Sequence, residues 1–500
     1  MIAAPPSVVH TLAEAAAAVP DREALVCGPV RLTYARYAGA VAALAAEMRG
    51  LEGERVAIVA PNTADLAIAI MAAMAAGAEA VPLNPMYTVH ELRPVLQDAA
   101  PARILASAEV AERIRPLVPE LRLPEPETIG AGGRDLASLS GDPAAMPLPD
   151  GERIGIVQYT GGTTGRPKGV LLAHRPLAVN VAQRDRVVPT RDGERVLVMT
   201  PLYHVYATSM GLWLAPNARG TMVLMPRYTP QDALAAIEAE RISFFSGSPT
   251  IYHTLLAAPE ALRTDFASVE CAFSGSAALP AATLERWAEM TGSTICEGYG
   301  QTEGGPVLAC NPRAGPHRAG SVGFALPQTQ IEIVDAVTGE GPLPTGEAGE
   351  IRVRGPQIMK GYRNRPEETA EALRGGWLHT GDIGALGPDG ALEIRDRKKD
   401  MVVVSGFNVY PREVEEALLA HPAVAEAAVF GVPDPRKGEA LTAHVIADGA
   451  TPEMLAAHLA ERLARYKLPS RIEIVKAIPR TPIGKVDKPA LRAAVRAAAG

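Results

Sequence analysis

Arg55-Val56-Ala57-Ile58-Val59-Ala60, then Pro61-Asn62, a helical run from about Ala64 to Ala76 closed by Gly77, and Ala80-Val81-Pro82-Leu83 follow one another without a break. The outer runs are short, continuous and apolar, as strands buried on both faces are. The middle run is uncharged from Leu66 to Ala78, too short to cross a bilayer, and reads as a buried helix. Strand, helix and strand in that order build a parallel α/β sheet. The rhythm returns at Arg195–Met199, at Thr221–Met225 and at Ile242–Phe245, the last followed by a helix near Thr250–Ala257. From about Gly320 to Gly355 the apolar period shifts toward two, with Ile331–Val334 and Glu350–Val353 as strands of a more antiparallel or barrel-like part. Five consecutive charges, Asp396-Arg397-Lys398-Lys399-Asp400, mark the sharpest boundary. The fold expected is α/β: a large N-terminal domain of several subdomains over residues 1–396, a connection at 397–400, and a small α+β domain over 401–500.

At 500 residues the chain exceeds one compact core. Hydrophobic residues at 47% and charged residues at 21% are ordinary for a globular protein. A net charge of −7 argues against nucleic acid as a partner. Cys27, Cys271, Cys296 and Cys310 are widely spaced with no C-x-x-C pair, which disfavours a zinc site or disulfide framework and fits a reducing compartment. The opening Met1-Ile2-Ala3-Ala4-Pro5-Pro6 lacks the basic region of a signal peptide. A cytoplasmic protein without an integral membrane segment is expected.

Tyr159-Thr160-Gly161-Gly162-Thr163-Thr164-Gly165-Arg166-Pro167-Lys168-Gly169 is the most informative stretch for chemistry. Its glycines permit close backbone approach to a charged group, and the threonine hydroxyls with Lys168 supply donors and positive charge. Together they describe a phosphate cradle. It is not a Walker A loop, because Arg166 or Pro167 stands where the second glycine would fall.

This stretch resembles the signature loop of the adenylate-forming superfamily, which includes acyl-CoA synthetases, 4-coumarate–CoA ligases, luciferases and peptide-synthetase adenylation domains. Gly161 replaces the usual serine, as in bacterial fatty acyl-CoA synthetases. More motifs of that superfamily follow in order: Pro201-Leu202-Tyr203-His204, Ser274-Gly275-Ser276-Ala277-Ala278-Leu279, Glu297-Gly298-Tyr299-Gly300-Gln301-Thr302-Glu303, and Trp377-Leu378-His379-Thr380-Gly381-Asp382. Beyond the charge run come Ser405-Gly406-Phe407-Asn408-Val409-Tyr410-Pro411 and Pro479-Arg480-Thr481-Pro482-Ile483-Gly484-Lys485. The resemblance spans essentially the whole chain.

The resemblance implies an ATP- and AMP-binding site of Thr160, Gly161, Gly162, Thr163, Thr164, Gly165, Lys168, Ser276, Ala277, Glu297, Gly298, Tyr299, Asp382 and Arg397. Tyr299 would be the adenine platform. Asp382 suits a carboxylate accepting both ribose hydroxyls, with Arg397 adding a charge-assisted contact, although a structural ion pair would bring the same two residues together. Thr302 would contact the α-phosphate, and Glu303 would be the carboxylate for Mg²⁺, a cation that takes one or two carboxylates with phosphate oxygens and water. Lys485 would touch the substrate carboxylate and the α-phosphate, stabilising charge that builds as one attacks the other. No general base is needed, since the attacking carboxylate is already ionised near neutral pH.

The resemblance also implies a second half-reaction in the same cleft with the small domain rotated about Lys399, since adenylation and thioester formation need different groups against one substrate. By resemblance Ser405, Gly406 and Phe407 would then line the tunnel for coenzyme A. His204, grouped with Lys485, Thr302 and Glu303 in the chemistry, resembles a gate at the mouth of the acyl pocket. Tyr206, Gly275, Gly304, Gly305 and Asn408 would line that pocket. Its small apolar residues lack an Arg or Lys for a second carboxylate. Gly304-Gly305-Pro306-Val307-Leu308-Ala309-Cys310 after Glu303 resembles the 4-coumarate ligase pocket, in which Tyr206 would meet a ring hydroxyl, while the glycine-variant loop looks more like fatty acyl-CoA synthetases. An aryl acid and a medium- or long-chain fatty acid both remain open.

The function expected is therefore an AMP-forming carboxylic acid–CoA ligase using ATP, Mg²⁺ and coenzyme A on a hydrophobic monocarboxylate, either aryl or hydroxycinnamate-type or a medium- or long-chain fatty acid. Two rivals stand beside it: a free-standing adenylation enzyme that loads a separate carrier protein, and a nucleotide- or acyl-binding relative without catalysis. Only fifteen residues follow Lys485, so no fused carrier domain is expected.

Overall fold

The computed structural model describes residues 2–160, 167–315, 317, 320–404, 407–434, 438–480 and 486–499. The chain divides into two compact units. The first holds residues 1–331, 353–379 and 390–392; the second holds 332–352, 380–389 and 393–500. The charge run at 396–400 thus lies inside the second unit, whereas a hinge there is a property of motion rather than of compactness.

The first unit carries two sheets. A seven-stranded sheet has the spatial order Gly361–Tyr362, Lys168–Ala173, Ile154–Thr160, Glu79–Pro82, Arg55–Val59, Arg103–Ala106, Glu127–Thr128. Its centre is parallel: Val56 pairs with Ala80 on one side and Arg103 on the other. Its rim is antiparallel, because Ile154–Thr160 and Lys168–Ala173 form a hairpin. A nine-stranded sheet is built in the same way around Thr221–Leu224, Arg195–Val198, Phe244–Gly247, Cys271–Ser274 and Thr294–Tyr299, which pair in parallel.

The helix Ala64–Ala75 starts at Thr63, whose hydroxyl accepts the Leu66 N–H, with Asp65 in the first turn favourable to the helix dipole. All but Asp65 of its residues are buried, as expected of a helix apolar on every face. With Tyr34–Glu47 it belongs to one apolar cluster that draws side chains from both sheets, including Val56, Ile58, Val196 and Leu25. Alanine dominates both helices, so backbones pack closely with little side-chain volume between them.

In the second unit the period-two stretch forms a four-stranded sheet with Gln330–Val334, Gly349–Arg354, Leu378–Leu386 and Leu392–Arg397 in chain order. The last hundred residues build a five-stranded sheet around the long antiparallel pair Val424–Asp434 and Gly438–Ala447. Helices Pro411–Leu419 and Pro452–Ala460 cover its apolar cluster. All four cysteines are free and buried, with the Cys271 and Cys296 sulfurs 3.6 Å apart on adjacent strands. Among the described residues no helix is long and apolar enough to cross a membrane.

Candidate active site

The glycine-rich stretch is framed by the hairpin. Thr160 ends one strand, Lys168 begins the next, and the two are register partners. Gly161, Gly162, Thr163, Thr164 and Gly165 lie outside the described residues. Tyr159 is tied down by its hydroxyl, which donates to Asp98 Oδ2 at 2.7 Å. Arg363 Nε, just beyond the edge strand Gly361–Tyr362, donates to the Asp98 carbonyl at 2.9 Å, so the hairpin and its neighbouring strand converge on that residue.

Ser274 ends the strand Cys271–Ser274 beside Glu297, its register partner on Thr294–Tyr299. The next turn is tight, and Ser276 adopts φ +72°, a left-handed conformation that costs a non-glycine residue energy. Glu297 Oε1 accepts the Leu279 N–H at 2.9 Å and so fixes the far end of this turn. A Cβ at Gly298 would stand 2.4 Å from the Phe273 ring, and one at Gly300 would stand 1.8 Å from the Pro306 carbonyl. These two glycines let Tyr299 sit between close-packed backbones. Thr302–Gly304 is a single 3₁₀ turn that carries Glu303, ended by Gly305 at φ +83°.

Glu303 meets the hairpin through a residue that sequence motifs did not single out. Tyr362 donates its hydroxyl to Glu303 Oε1 at 2.9 Å. The Lys168 ammonium stands 5.1 Å from the Tyr362 ring centroid and 2.6 Å from Glu368 Oε2. Burial, with help from the Glu303 charge, raises the Tyr362 phenol far above its ordinary range, so it remains a donor. The only local sign of Glu368 was a helix start, Pro366 with Glu367 and Glu368 in the first turn.

His204 precedes the short helix Val205–Ala207, with the Tyr203 ring 4.6 Å away. Burial holds the Tyr203 phenol up at about 12. Tyr206 packs on Gly275, where a Cβ would come within 3.2 Å of its ring. Its hydroxyl lies 3.2 Å from the Phe273 carbonyl and 3.4 Å from that of Gly247. The phenolic proton is therefore directed at backbone, and a substrate hydroxyl meeting Tyr206 would have to donate to it. Gly304 is buried, and the Cβ position of Gly305 lies 2.4 Å from the Gln357 carbonyl.

The second unit brings Asp382 and Arg397 together. Arg397 Nε lies 3.1 Å from Asp382 Oδ1, with the Asp382 side chain 7% exposed and that of Arg397 54% exposed. The two side chains thus form an ion pair within that unit. Lys399 is exposed on the 3₁₀ turn Lys398–Asp400. Phe407 and Asn408 belong to the strand Phe407–Val409, paired to Val402–Val404. Ser405, Gly406 and Lys485 lie outside the described residues; an antiparallel bridge between Arg480 and Val486 brackets the segment containing Lys485.

The fold is that of an α/β enzyme, and comparison with known families gives its class. Residues 12–363 match the AMP-binding enzyme family and residues 413–485 match the AMP-binding enzyme C-terminal domain. The chain belongs to the AMP-binding enzyme family. It is 36% identical to a long-chain-fatty-acid–CoA ligase of Bacillus subtilis, over 95% of this chain and 92% of that protein. It is 37% identical to a feruloyl-CoA synthase of an Amycolatopsis species, over 95% and 96%. The structure of ATP-bound MatB from Rhodopseudomonas palustris superposes with a TM-score of 0.91 at 32% identity, covering 98% of this chain and 99% of that one.

Proposed function

We propose that this protein is an AMP-forming acid–CoA ligase that activates a hydrophobic monocarboxylate of the fatty or aromatic class. The observation that carries the reading is the network in which Lys168, at the rim of the phosphate-cradle hairpin, and Glu303 meet on Tyr362. It puts a cation suited to phosphate and a carboxylate suited to a metal within one cluster of side chains. Similarity to both a fatty acid ligase and a feruloyl-CoA synthase supports the acid class and leaves its two branches open.

In this reading the substrate carboxylate attacks the α-phosphorus of ATP, forming acyl-adenylate and releasing pyrophosphate. The sulfur of coenzyme A then attacks the acyl carbon and AMP departs. Glu303 is a hard oxygen donor of the kind Mg²⁺ prefers. Mg²⁺ takes one or two carboxylates and completes its shell with phosphate oxygens and water, which one carboxylate at Glu303 suits. Bound there, Mg²⁺ would neutralise triphosphate charge. Lys168 and Thr302 would orient the phosphates, Asp382 and Arg397 the ribose, and Glu297 the turn that carries Ser276 and Ala277. Tyr299 would stack on adenine. Lys485 would supply the positive charge for the first half-reaction, with Lys399 as the pivot to the second. Ser405, Gly406 and Phe407 would line the coenzyme A path, and His204, Tyr206, Gly275, Gly304, Gly305 and Asn408 the acyl pocket. The chemistry is that of a cytoplasmic metabolic enzyme.

The test is ATP- and CoA-dependent AMP release across benzoates, hydroxycinnamates and C4–C16 fatty acids, with Lys485→Ala in parallel. The expected result is a sharp optimum for one acid. Adenylation by Lys485→Ala should fall about 10²–10³-fold, while thioester formation from supplied acyl-adenylate stays near wild type. Pyrophosphate without thioester would favour a carrier protein as acceptor. ATP binding without turnover of any acid would count for a non-catalytic relative.

A further inference from the structure

The segment from Met359 to Thr369 closes on the site from a distance in sequence that no motif spans. The Met359 N–H donates to the Glu303 carbonyl at 2.9 Å, and the Tyr362 hydroxyl donates to the Glu303 carboxylate at 2.9 Å. Backbone and side chain of Glu303 are thus held by one stretch of chain. The same stretch holds Lys168, through the Tyr362 ring at 5.1 Å and Glu368 at 2.6 Å.

Its own position is heavily determined. Gly361–Tyr362 pairs antiparallel with Lys168–Ala173, and the Lys360 and Arg363 N–H groups donate to the carbonyls of Leu171 and Gly169. The Tyr362 N–H donates to Thr369 Oγ1 at 2.9 Å, and that hydroxyl donates to the Arg365 carbonyl at 2.7 Å. Gly361 sits at φ +147° with Thr369 Cγ2 2.6 Å from where a Cβ would be, so only glycine fits.

We propose that Tyr362 is a positioning residue for adenylation. Its hydroxyl fixes the Glu303 carboxylate, and its ring, with Glu368, fixes the Lys168 ammonium, so one side chain sets the spacing between the metal-side and phosphate-side charges. The proposal rests on the reading of Glu303 as the metal carboxylate. The physical gain is preorganisation. Glutamate and lysine both lose rotamer freedom on engaging a ligand, and a phenol that has already ordered them removes that cost from binding. Hydrogen bonding to a carboxylate is charge-assisted and the contact of an ammonium with an aromatic face is electrostatic, so each half of the device has its own mutation. Tyr362→Phe deletes the hydroxyl and keeps the ring. Tyr362→Leu deletes both.

The experiment titrates Mn²⁺ by the paramagnetic signal of the free ion, in the presence of α,β-methylene ATP and without acid or coenzyme A. It compares wild type, Glu303→Gln, Tyr362→Phe and Tyr362→Leu, with metal-free binding of the same nucleotide and melting temperature measured alongside. Tyr362→Phe should weaken Mn²⁺ retention about three- to tenfold while metal-free nucleotide affinity stays within about twofold. Tyr362→Leu should lose a further two- to threefold, roughly, in metal-free nucleotide affinity. Wild-type Mn²⁺ retention in Tyr362→Phe, with loss in Glu303→Gln, would overturn the positioning role and leave the functional reading intact. Wild-type retention in both would overturn the two together. Parallel losses of Mn²⁺ retention, metal-free affinity and melting temperature in Tyr362→Phe would mark a merely structural tyrosine and also overturn the proposal.

Discussion

The helix Ala281–Thr291 in the first unit is held by Trp287, its one buried residue, whereas the 3₁₀ turn Lys398–Asp400 in the second buries none and is held by ions. Trp287 is fully enclosed, with Phe245, Tyr252 and Phe266 rings 5.5 to 5.7 Å away, and its indole N–H donates to Ser293 Oγ at 3.0 Å. Around the turn, Lys398 Nζ lies 2.9 Å from Glu350 Oε2 and Asp400 Oδ1 lies 3.0 Å from Arg492 Nη2. Ionisable groups are buried in both units, Glu350 in the second and Arg184 in the first. Arg184 is enclosed there, donating to the Val188 carbonyl at 2.8 Å with the Phe244 ring 5.6 Å from its guanidinium carbon. Apolar packing fixes a group in one place and ignores salt, while ion pairs near water are weaker and exchange partners readily. The unit that carries Tyr299, Glu303 and Tyr362 uses the first device; the turn that carries Lys399 uses the second.

Removing the tryptophan should do the most damage. Trp287→Ala is expected to cost about 3–5 kcal/mol, read as a lower urea midpoint for the first unit. A cost below about 1 kcal/mol would mean that the helix is held elsewhere and would break the comparison.

Acid should produce the next largest effect. His174 starts the helix His174–Val187, is fully buried, and among the described residues has no hydrogen-bond partner on either ring nitrogen. Its ring fills the space above Gly155, where a Cβ would come within 2.7 Å. Burial pushes its pKa from 6.5 down to about 4. Between those values the unfolded chain binds the proton and the folded one does not, so stability is whole above pH 6.5 and falls as the pH drops toward 4. The loss should reach about 3 kcal/mol at most. Urea unfolding of His174→Phe at pH 7 and pH 5 checks it: the variant should lose less between the two than wild type does, and equal losses would assign the acid sensitivity to other groups.

The smallest effect belongs to the turn. Lys398→Ala should cost about 1 kcal/mol, since the lysine is partly exposed although Glu350 is not. Hydrogen exchange in the strand Gly349–Arg354 should register the loss at low salt and much less of it at 1 M salt. Salt-independent exchange would place Lys398 with the packed groups of the first unit and blur the distinction.

The parts legible in sequence were those with local periodicity or a motif. Arg55–Val59, Ala64–Ala75 and Glu79–Pro82 fall where the apolar runs put them, within a residue or two, because burial on all sides leaves nothing but apolar residues to read. The Asp382–Arg397 pair was legible from its motifs. Tyr362 was not. Its strand is two residues long and has no period; Lys168 is brought to it by pairing at the edge of the seven-stranded sheet, and Glu303 by the backbone bond from the Met359 N–H. His174 and Arg184 gave no sign for the opposite reason: charged and polar residues in a helix ordinarily face solvent, and here tertiary packing buries them.

The register pairing of Thr160 with Lys168 has a consequence for how such a site can vary. The ladder of the hairpin closes the chain at that point, so the six residues 161–166 and Pro167 begin and end at fixed anchors. Closing a longer segment between the same anchors costs only about 0.6 kcal/mol per doubling of its length. The length of the segment between those anchors is thereby only weakly coupled to the stability of the hairpin that carries it.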